Sequence, residues 1–231
     1  MPEVLRRELK YIVDEASAAR MRSELSEVLR LDPNGGDEGY VIKSLYFDTP
    51  DDSDFMDKLD GLDVRRKIRL RTYGAPDSPL KLELKEKTGK QQRKRSVILT
   101  REEAERIQEG EYGLLLDRPG DFPKQLYLRM FTNLYRPKCV VVYRRIAFLS
   151  EYSETRVTFD TELCSSESNL NLFDKSAVYW PVGDTGSITM EVKFSGVLMS
   201  FIRQVIKRCG AQQVSNSKYV TARTVTRHGR R

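Results

Sequence analysis

Hydrophobic and polar residues alternate along several stretches of the chain, and this period of two residues predicts β-strands. The pattern is clearest in KIRLRTY, residues 67–73, where cations alternate with Ile68 and Leu70. The predicted strands cover residues 7–13, 40–48, 64–73, 80–87, 93–99, 139–149, 155–161 and 187–195. We therefore expect a fold dominated by β-structure.

Apolar residues at helical spacing predict four helices, over residues 16–31, 100–109, 122–135 and 197–209. The second begins with Thr100 and Glu103 in the spacing of a capping box, and Gly210 follows the fourth as a stop signal. Eight strands with scattered helices indicate an α+β domain with a largely antiparallel sheet or a closed barrel. We expect one domain over residues 1–222 and a basic, disordered tail over residues 223–231.

The polar faces of the predicted strands are rich in cations. Taken alone, each of these faces is compatible with a plain solvated surface. A solvated face, however, usually mixes charges so that opposite signs pair. The shared excess of cations instead predicts a bound chain of phosphates, which arginine and lysine both suit. In residues 93–99, Lys94 lies between Arg93 and Arg95, so the orientation of that strand stays open. The other charged faces comprise Glu8 and Lys10; Arg65, Lys67, Arg69 and Arg71; Lys81, Glu83, Lys85 and Lys87; Arg156 and Asp160; and Glu191 and Lys193.

A few carboxylates lie among these cations. A carboxylate beside phosphate is repelled unless Mg²⁺ or Mn²⁺ lies between them, in which case it becomes a metal ligand. Glu191, in the middle of its predicted strand, is the best candidate for this role, and Glu8 and Glu83 are weaker ones. The sequence therefore predicts a divalent metal next to bound phosphate.

Composition excludes several kinds of chemistry. The chain has 231 residues, a net charge of +6 and a single histidine, His228. Because His228 lies in the tail that we expect to be disordered, we expect no Ser-His-Asp triad. The three cysteines, Cys139, Cys164 and Cys209, form no C-x-x-C pair and favour neither a disulfide framework nor a zinc site. No stretch has the pattern of a signal peptide or a membrane span, so we expect a cytoplasmic protein.

Eight short motifs follow one another along the chain. They are RRELKYIV at 6–13, SLYFDTP at 44–50, KIRLRTY at 67–73, LKLELKEK at 80–87, YRRIAF at 143–148, RVTFDTEL at 156–163, MEVKF at 190–194 and SKYVTA at 217–222. Together and in this order they resemble the VTC-type polyphosphate polymerases, a branch of the triphosphate tunnel (CYTH-like) enzymes. The resemblance covers residues 6 to about 222.

This resemblance implies an eight-stranded, largely antiparallel tunnel barrel with flanking helices. It also implies transfer of the γ-phosphoryl group of ATP to a growing polyphosphate chain, with release of ADP and with Mn²⁺ or Mg²⁺ as cofactor. Glu191 matches the metal carboxylate and Lys218 the lysine near the transferring phosphate. With Arg69 and Arg71, these two form the expected catalytic set. The phosphate-binding or nucleotide-binding cations implied are Lys10, Arg69, Arg71, Lys85, Lys94, Arg145, Arg156, Lys193 and Lys218.

The first strand departs from the hydrolase branch of the same superfamily. CYTH-type triphosphatases carry Glu-x-Glu-x-Lys there, whereas this chain has Arg6, Glu8 and Lys10. A cation in place of the first metal ligand favours a polyphosphate polymerase over a simple hydrolase. An inorganic or nucleoside triphosphatase and a non-catalytic polyphosphate-binding module remain the alternatives. The expected partners are ATP and inorganic polyphosphate or pyrophosphate, without nucleic acid, and the sequence leaves the oligomeric state open.

Overall fold

The computed structural model describes residues 6–74, 78–89, 91–184 and 186–228. Within these residues, eleven strands form one largely antiparallel sheet in the order β11-β1-β10-β8-β7-β3-β4-β5-β6, with β2 on β7 and β9 on β8. The strands are β1 (Arg6–Val13), β2 (Arg30–Leu31), β3 (Tyr40–Asp48), β4 (Val64–Thr72), β5 (Leu80–Thr88), β6 (Gln91–Leu99), β7 (Arg136–Leu149), β8 (Arg156–Ser166), β9 (Trp180–Pro181), β10 (Ile188–Ser195) and β11 (Gln212–Gln213). The helices are α1 (Glu15–Ser26), α2 (Ser53–Leu59), α3 (Arg101–Gln108), α4 (Asp121–Thr132), α5 (Ser200–Arg208) and α6 (Lys218–His228), with a 3₁₀ helix at Tyr112–Leu115.

The α+β class and the eight predicted strands are confirmed, and three two-residue strands are added. The hydrogen-bonding order ends at β11 on one side and at β6 on the other, and no pairing within the described residues joins those two strands. The closed eight-stranded barrel is therefore not confirmed. The tunnel stays a prediction.

The chain divides into two compact units. The first comprises the chain up to Val41, Tyr143–Leu163 and Pro181–Ser217, and the second comprises Ile42–Val142, Cys164–Trp180 and the chain from Lys218. Each unit has its own hydrophobic core, as a compact unit requires. The single domain over residues 1–222 stays a prediction.

In the first unit, one face of the sheet packs against α1 and α5. Strand β1 shows how the alternation produces this, because Leu9, Tyr11 and Val13 belong to the core while Glu8 and Lys10 occupy the opposite face. Residues from β8 and β10 extend the same apolar surface. The buried partners on these strands and helices include Met21, Leu25, Val157, Phe159, Met190, Val192, Ile202 and Val205.

In the second unit, β4, β5 and β6 pack against α3, α4 and the 3₁₀ helix. Ile68 and Leu70 of β4 are fully buried in this core, while Arg69 and Arg71 alternate with them. The other buried members of this core include Leu82, Leu84, Val97, Ile107, Leu115, Leu126 and Met130. Both cores thus leave the charged face of their strands available for another role.

The predicted helices are confirmed in position but most are shorter than expected. Helix α1 ends at Ser26 instead of residue 31, because the chain turns there and Arg30–Leu31 pairs with β7. Helix α4 ends at Thr132, and Leu134 follows it with φ of 51°. Helix α3 begins after Thr100, which forms the predicted capping box with Glu103. No helix in the described part of the chain is long and apolar enough to cross a membrane.

Two helices are absent from the sequence prediction. Helix α2 was missed, and residues 223–228, assigned to a disordered tail, lie in α6. The physical reason for the second difference is burial, since Arg223 is only 7% exposed and is paired with Asp52. The end of the assigned tail, residues 229–231, lies outside the described residues.

Candidate functional site

Six charged residues of the first unit form a group that we call the first cluster. They lie on the charged faces of four strands and are Glu8, Lys10, Arg145, Asp160, Glu191 and Lys193. The strand register places Glu8 opposite Lys193 and Lys10 opposite Glu191. Carboxylates and ammonium groups therefore alternate across β1 and β10.

The ammonium groups of the first cluster each contact both glutamates. Lys10 Nζ lies 3.2 Å from Glu8 Oε1 and 3.5 Å from Glu191 Oε1. Lys193 Nζ lies 3.7 Å from Glu8 Oε2 and 3.6 Å from Glu191 Oε2. Lys10 also donates to the main-chain oxygen of Asn216 at 3.1 Å. The predicted metal carboxylates and two of the predicted cations are thus together in one place.

Arg145 forms the most buried pair of the first cluster. Its Nε and Nη2 donate to the two oxygens of Asp160 at 2.6 and 2.7 Å, the fork geometry that suits a carboxylate. Its Nη2 also lies 3.6 Å from Glu191 Oε2. Burial by itself would lower the pKa of Arg145, but Asp160, with smaller contributions from Tyr143 and Glu191, keeps that pKa well above its usual value.

Arg156 lies next to the first cluster but has other partners. It is opposite Lys193 in the register of β8 and β10. Its Nη2 donates to Asp32 Oδ2 at 2.7 Å and to the Tyr40 hydroxyl at 2.8 Å. Asp32 in turn accepts from the main-chain N–H of Asn34 at 3.1 Å. The structure therefore uses this predicted phosphate cation to hold the turn that follows β2.

The donor set of the first cluster is compatible with Mg²⁺ or Mn²⁺. Such ions are often held by one or two carboxylates, with the remaining ligands coming from substrate phosphates and water. Glu8 and Glu191 supply two carboxylates, with 19% and 9% of their side chains exposed. Within the described residues no group of three or more acidic, cysteine or histidine side chains is placed to hold a metal. A metal here would therefore depend on the phosphate ligand.

Charged residues of the second unit form another group, which we call the second cluster. Its members are Lys67, Arg69, Arg71, Glu83, Lys85 and Lys94. Glu83 is fully buried and accepts from Nε of Arg69 at 2.6 Å, while Nη2 of Arg69 lies at the same distance and Lys94 contacts the other carboxylate oxygen. Burial would raise the pKa of Glu83, but Arg69, Arg71 and Lys94 outweigh it and lower that pKa to about 2.

Strand pairing aligns three lysines of the second cluster. Lys85 on β5 lies opposite Lys67 on β4 and opposite Lys94 on β6. This register settles the orientation of β6, which the sequence left open. Lys94 lies on the charged face, whereas Arg95 pairs with Glu86 on the opposite face. Like charges directly opposite each other repel. The row is therefore suited to an anionic ligand.

The two arginines of the second cluster are held in place by neighbouring hydroxyls. Arg69 Nη1 donates to the Tyr46 hydroxyl at 3.3 Å, and Arg71 Nε donates to Ser44 Oγ at 3.1 Å. Arg69 and Arg71 are 8% and 6% exposed. Tyr46 is itself buried, and its hydroxyl orients a predicted phosphate cation.

Lys218 is the first residue of α6, and the residue after it fixes this end of the helix. Tyr219 is 1% exposed and donates to Asp48 Oδ2 at 2.6 Å. Its ring stacks on that of Tyr46 with centroids 4.9 Å apart. Asp48 also accepts from the main-chain N–H of Phe55 at 3.0 Å. The position of Lys218 is therefore defined by buried contacts of its neighbour.

A second anchor of α6 lies one turn further along. Arg223 Nη2 donates to Asp52 Oδ2 at 2.5 Å, and its Nη1 lies 3.2 Å from Glu167 Oε1. Lys138 Nζ lies 2.7 Å from Asp52 Oδ1. The sequence analysis missed this network. The acidic residues that follow β3 were the available signal, but nothing in the local pattern names their distant partners.

Asp54 belongs to the same region and has a perturbed pKa. It is 2% exposed and accepts from the Tyr135 hydroxyl at 2.9 Å. Burial, together with the charge of nearby Asp48, raises its pKa to about 6, although Tyr135 acts in the opposite direction. Asp54 lies in the first turn of α2, and this hydrogen bond links the helix to Tyr135.

The three cysteines differ in burial. Cys139 is buried, whereas Cys164 and Cys209 are partly exposed, and no disulfide is present within the described residues. Burial raises the pKa of Cys139 well above the usual thiol value. A buried, protonated thiol is a poor nucleophile and a poor metal ligand.

Solved structures with a similar fold come from several organisms. A candidate adenylyl cyclase from Hippeastrum, described as having a dominant triphosphatase activity, is 11% identical with a TM-score of 0.57, and the alignment covers 94% of this chain and 96% of that one. A candidate adenylate cyclase from Bacillus halodurans is 16% identical with a TM-score of 0.55 and 93% coverage of both chains. One from Vibrio parahaemolyticus is 12% identical with a TM-score of 0.52, covering 93% of this chain and 95% of that one.

At these identities the structural neighbours establish the fold alone. No curated protein has a sequence that matches this chain. A family model is more specific, because the model described as the VTC domain matches residues 5–227. The matched range includes both clusters and the N-terminal end of α6. This chain therefore belongs to the VTC domain family.

Proposed function

We propose that this protein is a metal-dependent polyphosphate polymerase that transfers the γ-phosphoryl group of ATP to inorganic polyphosphate and releases ADP. The match to the VTC domain over residues 5–227 carries this proposal. The second cluster supports it chemically, because Arg69 and Arg71 are buried on a face that also carries three aligned lysines. Such a face favours ligands with several linked phosphates.

The proposed reaction needs positioning and charge neutralisation more than covalent chemistry. A terminal phosphate oxygen of the polyphosphate chain, or of a pyrophosphate primer, attacks the γ-phosphorus of ATP. The bond between that phosphorus and the bridging oxygen to the β-phosphate breaks, and its electron pair leaves with ADP. Arg69 and Arg71 hold phosphate oxygens in line, and Lys218 neutralises the transferred group. No histidine is needed for any of these steps.

We assign the metal to the first cluster. Glu191 and Glu8 would hold Mn²⁺ or Mg²⁺ together with phosphate oxygens, and the bound ion would supply further neutralisation of phosphate charge. Lys10, Arg145 and Lys193 bind phosphate beside these carboxylates. Each of the three already contacts a carboxylate in the protein, so ligand binding exchanges some of these contacts for phosphate.

A triphosphatase is the second candidate. The similar fold of the Hippeastrum protein, with its described triphosphatase activity, favours this alternative. Hydrolysis differs from polymerisation only in the nucleophile, which is water instead of a phosphate chain. Arg6, in place of the first glutamate of the hydrolase motif, favours the polymerase. A polyphosphate-binding module without turnover is the third candidate.

Incubation with ATP and Mn²⁺ separates these candidates. Polyphosphate detected on a stained gel, with ADP as the co-product, supports the polymerase. Release of inorganic phosphate without polymer indicates the triphosphatase. Absence of both products, with retained binding of polyphosphate, indicates the binding module. Omission of the metal or addition of a chelator should abolish product formation in either enzyme.

A matched pair of lysine variants tests the proposed role of Lys218. Lys218→Met should lower turnover by about 10²–10³, the usual cost of one lost electrostatic contact to a transition state. Lys207→Met, at an exposed position of α5, should leave turnover unchanged. Equal activity of the two variants would remove Lys218 from the proposed mechanism.

A further inference from the structure

Thr158 occupies the middle of the charged face of β8. Arg156 and Asp160 lie two residues away on either side, and Glu191 lies directly opposite on β10. Residues at i±2 and directly opposed residues point to the same face of a sheet. The hydroxyl of Thr158 therefore lies among charged residues of the first cluster and its neighbour Arg156.

This hydroxyl is buried and lacks a protein partner. Thr158 is 1% exposed, and its Oγ1 has no hydrogen-bond partner within the described part of the chain. Buried hydroxyls are almost always hydrogen-bonded in folded proteins, and an unmade bond destabilises the fold. A valine would fill the same space without that penalty. The position of the hydroxyl therefore needs an explanation other than packing.

Within the described residues, the charged neighbours of Thr158 make no hydrogen bond with its hydroxyl. Asp160 accepts two hydrogen bonds from Arg145, at 2.6 and 2.7 Å. Glu191 contacts Lys10 at 3.5 Å and Lys193 at 3.6 Å. The carboxylates are thus occupied by cations, and a hydroxyl in the same place is available for a ligand.

We propose that Thr158 is a ligand-binding residue whose hydroxyl donates a hydrogen bond to a phosphate oxygen of the bound polyphosphate or nucleotide. The proposal rests on the proposed function, because it places phosphate at the first cluster. Phosphate oxygens accept hydrogen bonds and carry no donor when ionised, so they match a buried hydroxyl that lacks a protein partner. Lys10, Arg145 and Lys193 offset the charge of Asp160 and Glu191 next to the bound phosphate.

Thr158→Val tests the proposal, because stability and binding should change in opposite directions. Removal of a buried, unpartnered hydroxyl should raise the melting temperature of the ligand-free protein by about 2–4 °C. Loss of a hydrogen bond to a charged ligand should weaken binding of inorganic tripolyphosphate by about tenfold or more. Thermal unfolding and titration calorimetry at one fixed salt concentration measure the two effects.

Two further variants serve as controls. Thr158→Ser keeps the hydroxyl and should retain tripolyphosphate affinity to within about threefold. Thr189→Val removes another hydroxyl from the same charged face, opposite Asp160, at a residue that is 7% exposed. This second variant should leave the affinity close to that of the unmodified protein.

Either of two results overturns the proposal. A Thr158→Val protein that binds tripolyphosphate as tightly as the unmodified protein excludes the contact, and one with a lowered melting temperature shows that the hydroxyl has a structural role instead. An unmodified protein that binds tripolyphosphate but makes no polymer from ATP overturns the polymerase alone. An unmodified protein that does not bind tripolyphosphate overturns both.

Discussion

The first and second clusters are built in the same way but differ in charge. Each has a buried arginine paired with a buried carboxylate, Arg145 with Asp160 and Arg69 with Glu83. With these pairs included, the first cluster has three carboxylates and three cations. The second cluster has one carboxylate, Glu83, and five cations. Strand alternation alone therefore does not determine the character of a charged face.

The strand register explains the difference. In the first cluster each glutamate of β1 and β10 lies opposite a lysine, so neighbouring charges attract. In the second, Lys85 lies opposite a lysine on both sides. A balanced face can hold carboxylates ready for a metal, whereas a face with excess positive charge gains most from a polyanion. The two clusters thus differ in the kind of ligand that each would favour.

The largest expected effect follows from the proposed metal carboxylate of the first cluster. Glu191→Gln should lower metal-dependent turnover by about 10²–10³ while the fold stays intact. The measurement is turnover against Mn²⁺ concentration, with thermal unfolding as a check on the fold. Glu83→Gln is the matched change in the second cluster and should leave the Mn²⁺ requirement unchanged. If the Mn²⁺ requirement changes in the Glu83 variant and not in the Glu191 variant, the metal is held by Glu83 instead of Glu191.

An intermediate effect concerns the stability that Glu83 contributes. Its pKa falls from 4.5 to about 2 on folding, which corresponds to about 3 kcal/mol at neutral pH. Because the folded-state pKa is lowered, this stability is present above about pH 4.5 and is lost as the pH falls toward 2. Glu83→Gln should therefore lower the free energy of unfolding by about 3 kcal/mol at pH 7.

Urea unfolding at several pH values measures this contribution. The difference in free energy of unfolding between the unmodified protein and Glu83→Gln should become smaller as the pH falls below about 4.5. Glu105→Gln, at an exposed position of α3, is the control and should show a small difference at every pH. If the difference in free energy of unfolding between the unmodified protein and Glu83→Gln stays constant down to pH 3, the pKa of Glu83 is not lowered.

The smallest effect is expected for the partly exposed pair of Arg156 and Asp32 in the first unit. The Arg156 side chain is 36% exposed, so solvent screens its attraction to Asp32. A double-mutant cycle with Arg156→Met and Asp32→Asn should give a coupling of about 1 kcal/mol or less. Unfolding in low and high salt measures it, and the coupling should decrease with salt. A larger coupling that does not change with salt would show that this pair behaves like the buried pairs of Arg145 with Asp160 and of Arg69 with Glu83.

Much of the fold could be predicted from the sequence because most of its strands follow a period of two. The eight long strands were found this way, and the capping box was found from the spacing of Thr100 and Glu103. Helix α6 was missed because its residues, KYVTARTVTRH, are rich in β-branched and basic types with no clear apolar stripe. Its stability comes from buried contacts of Tyr219 and Arg223 with residues distant in sequence, which local patterns do not encode.

The candidate site could be predicted only in part, for the same reason. The alternation of polar and apolar residues along the strands identified Lys10, Arg69 and Glu191, and the family resemblance added Arg145 and Lys218. The partners of these residues depend on the register between strands that are far apart in the chain. The pairing of Arg156 with Asp32, over 124 positions, is such a contact. The pKa of Glu83 is likewise decided by its distances to Arg69, Arg71 and Lys94, which a sequence cannot supply.

The stacked rings of Tyr46 and Tyr219 provide an optical probe. The single tryptophan, Trp180, is 68% exposed, so its fluorescence responds weakly to packing. The tyrosine pair is buried, and the Tyr46 hydroxyl accepts a hydrogen bond from Arg69. Near-ultraviolet circular dichroism reports fixed aromatic packing. The tyrosine signal should therefore follow both unfolding of the second unit and the arrival of phosphate at Arg69.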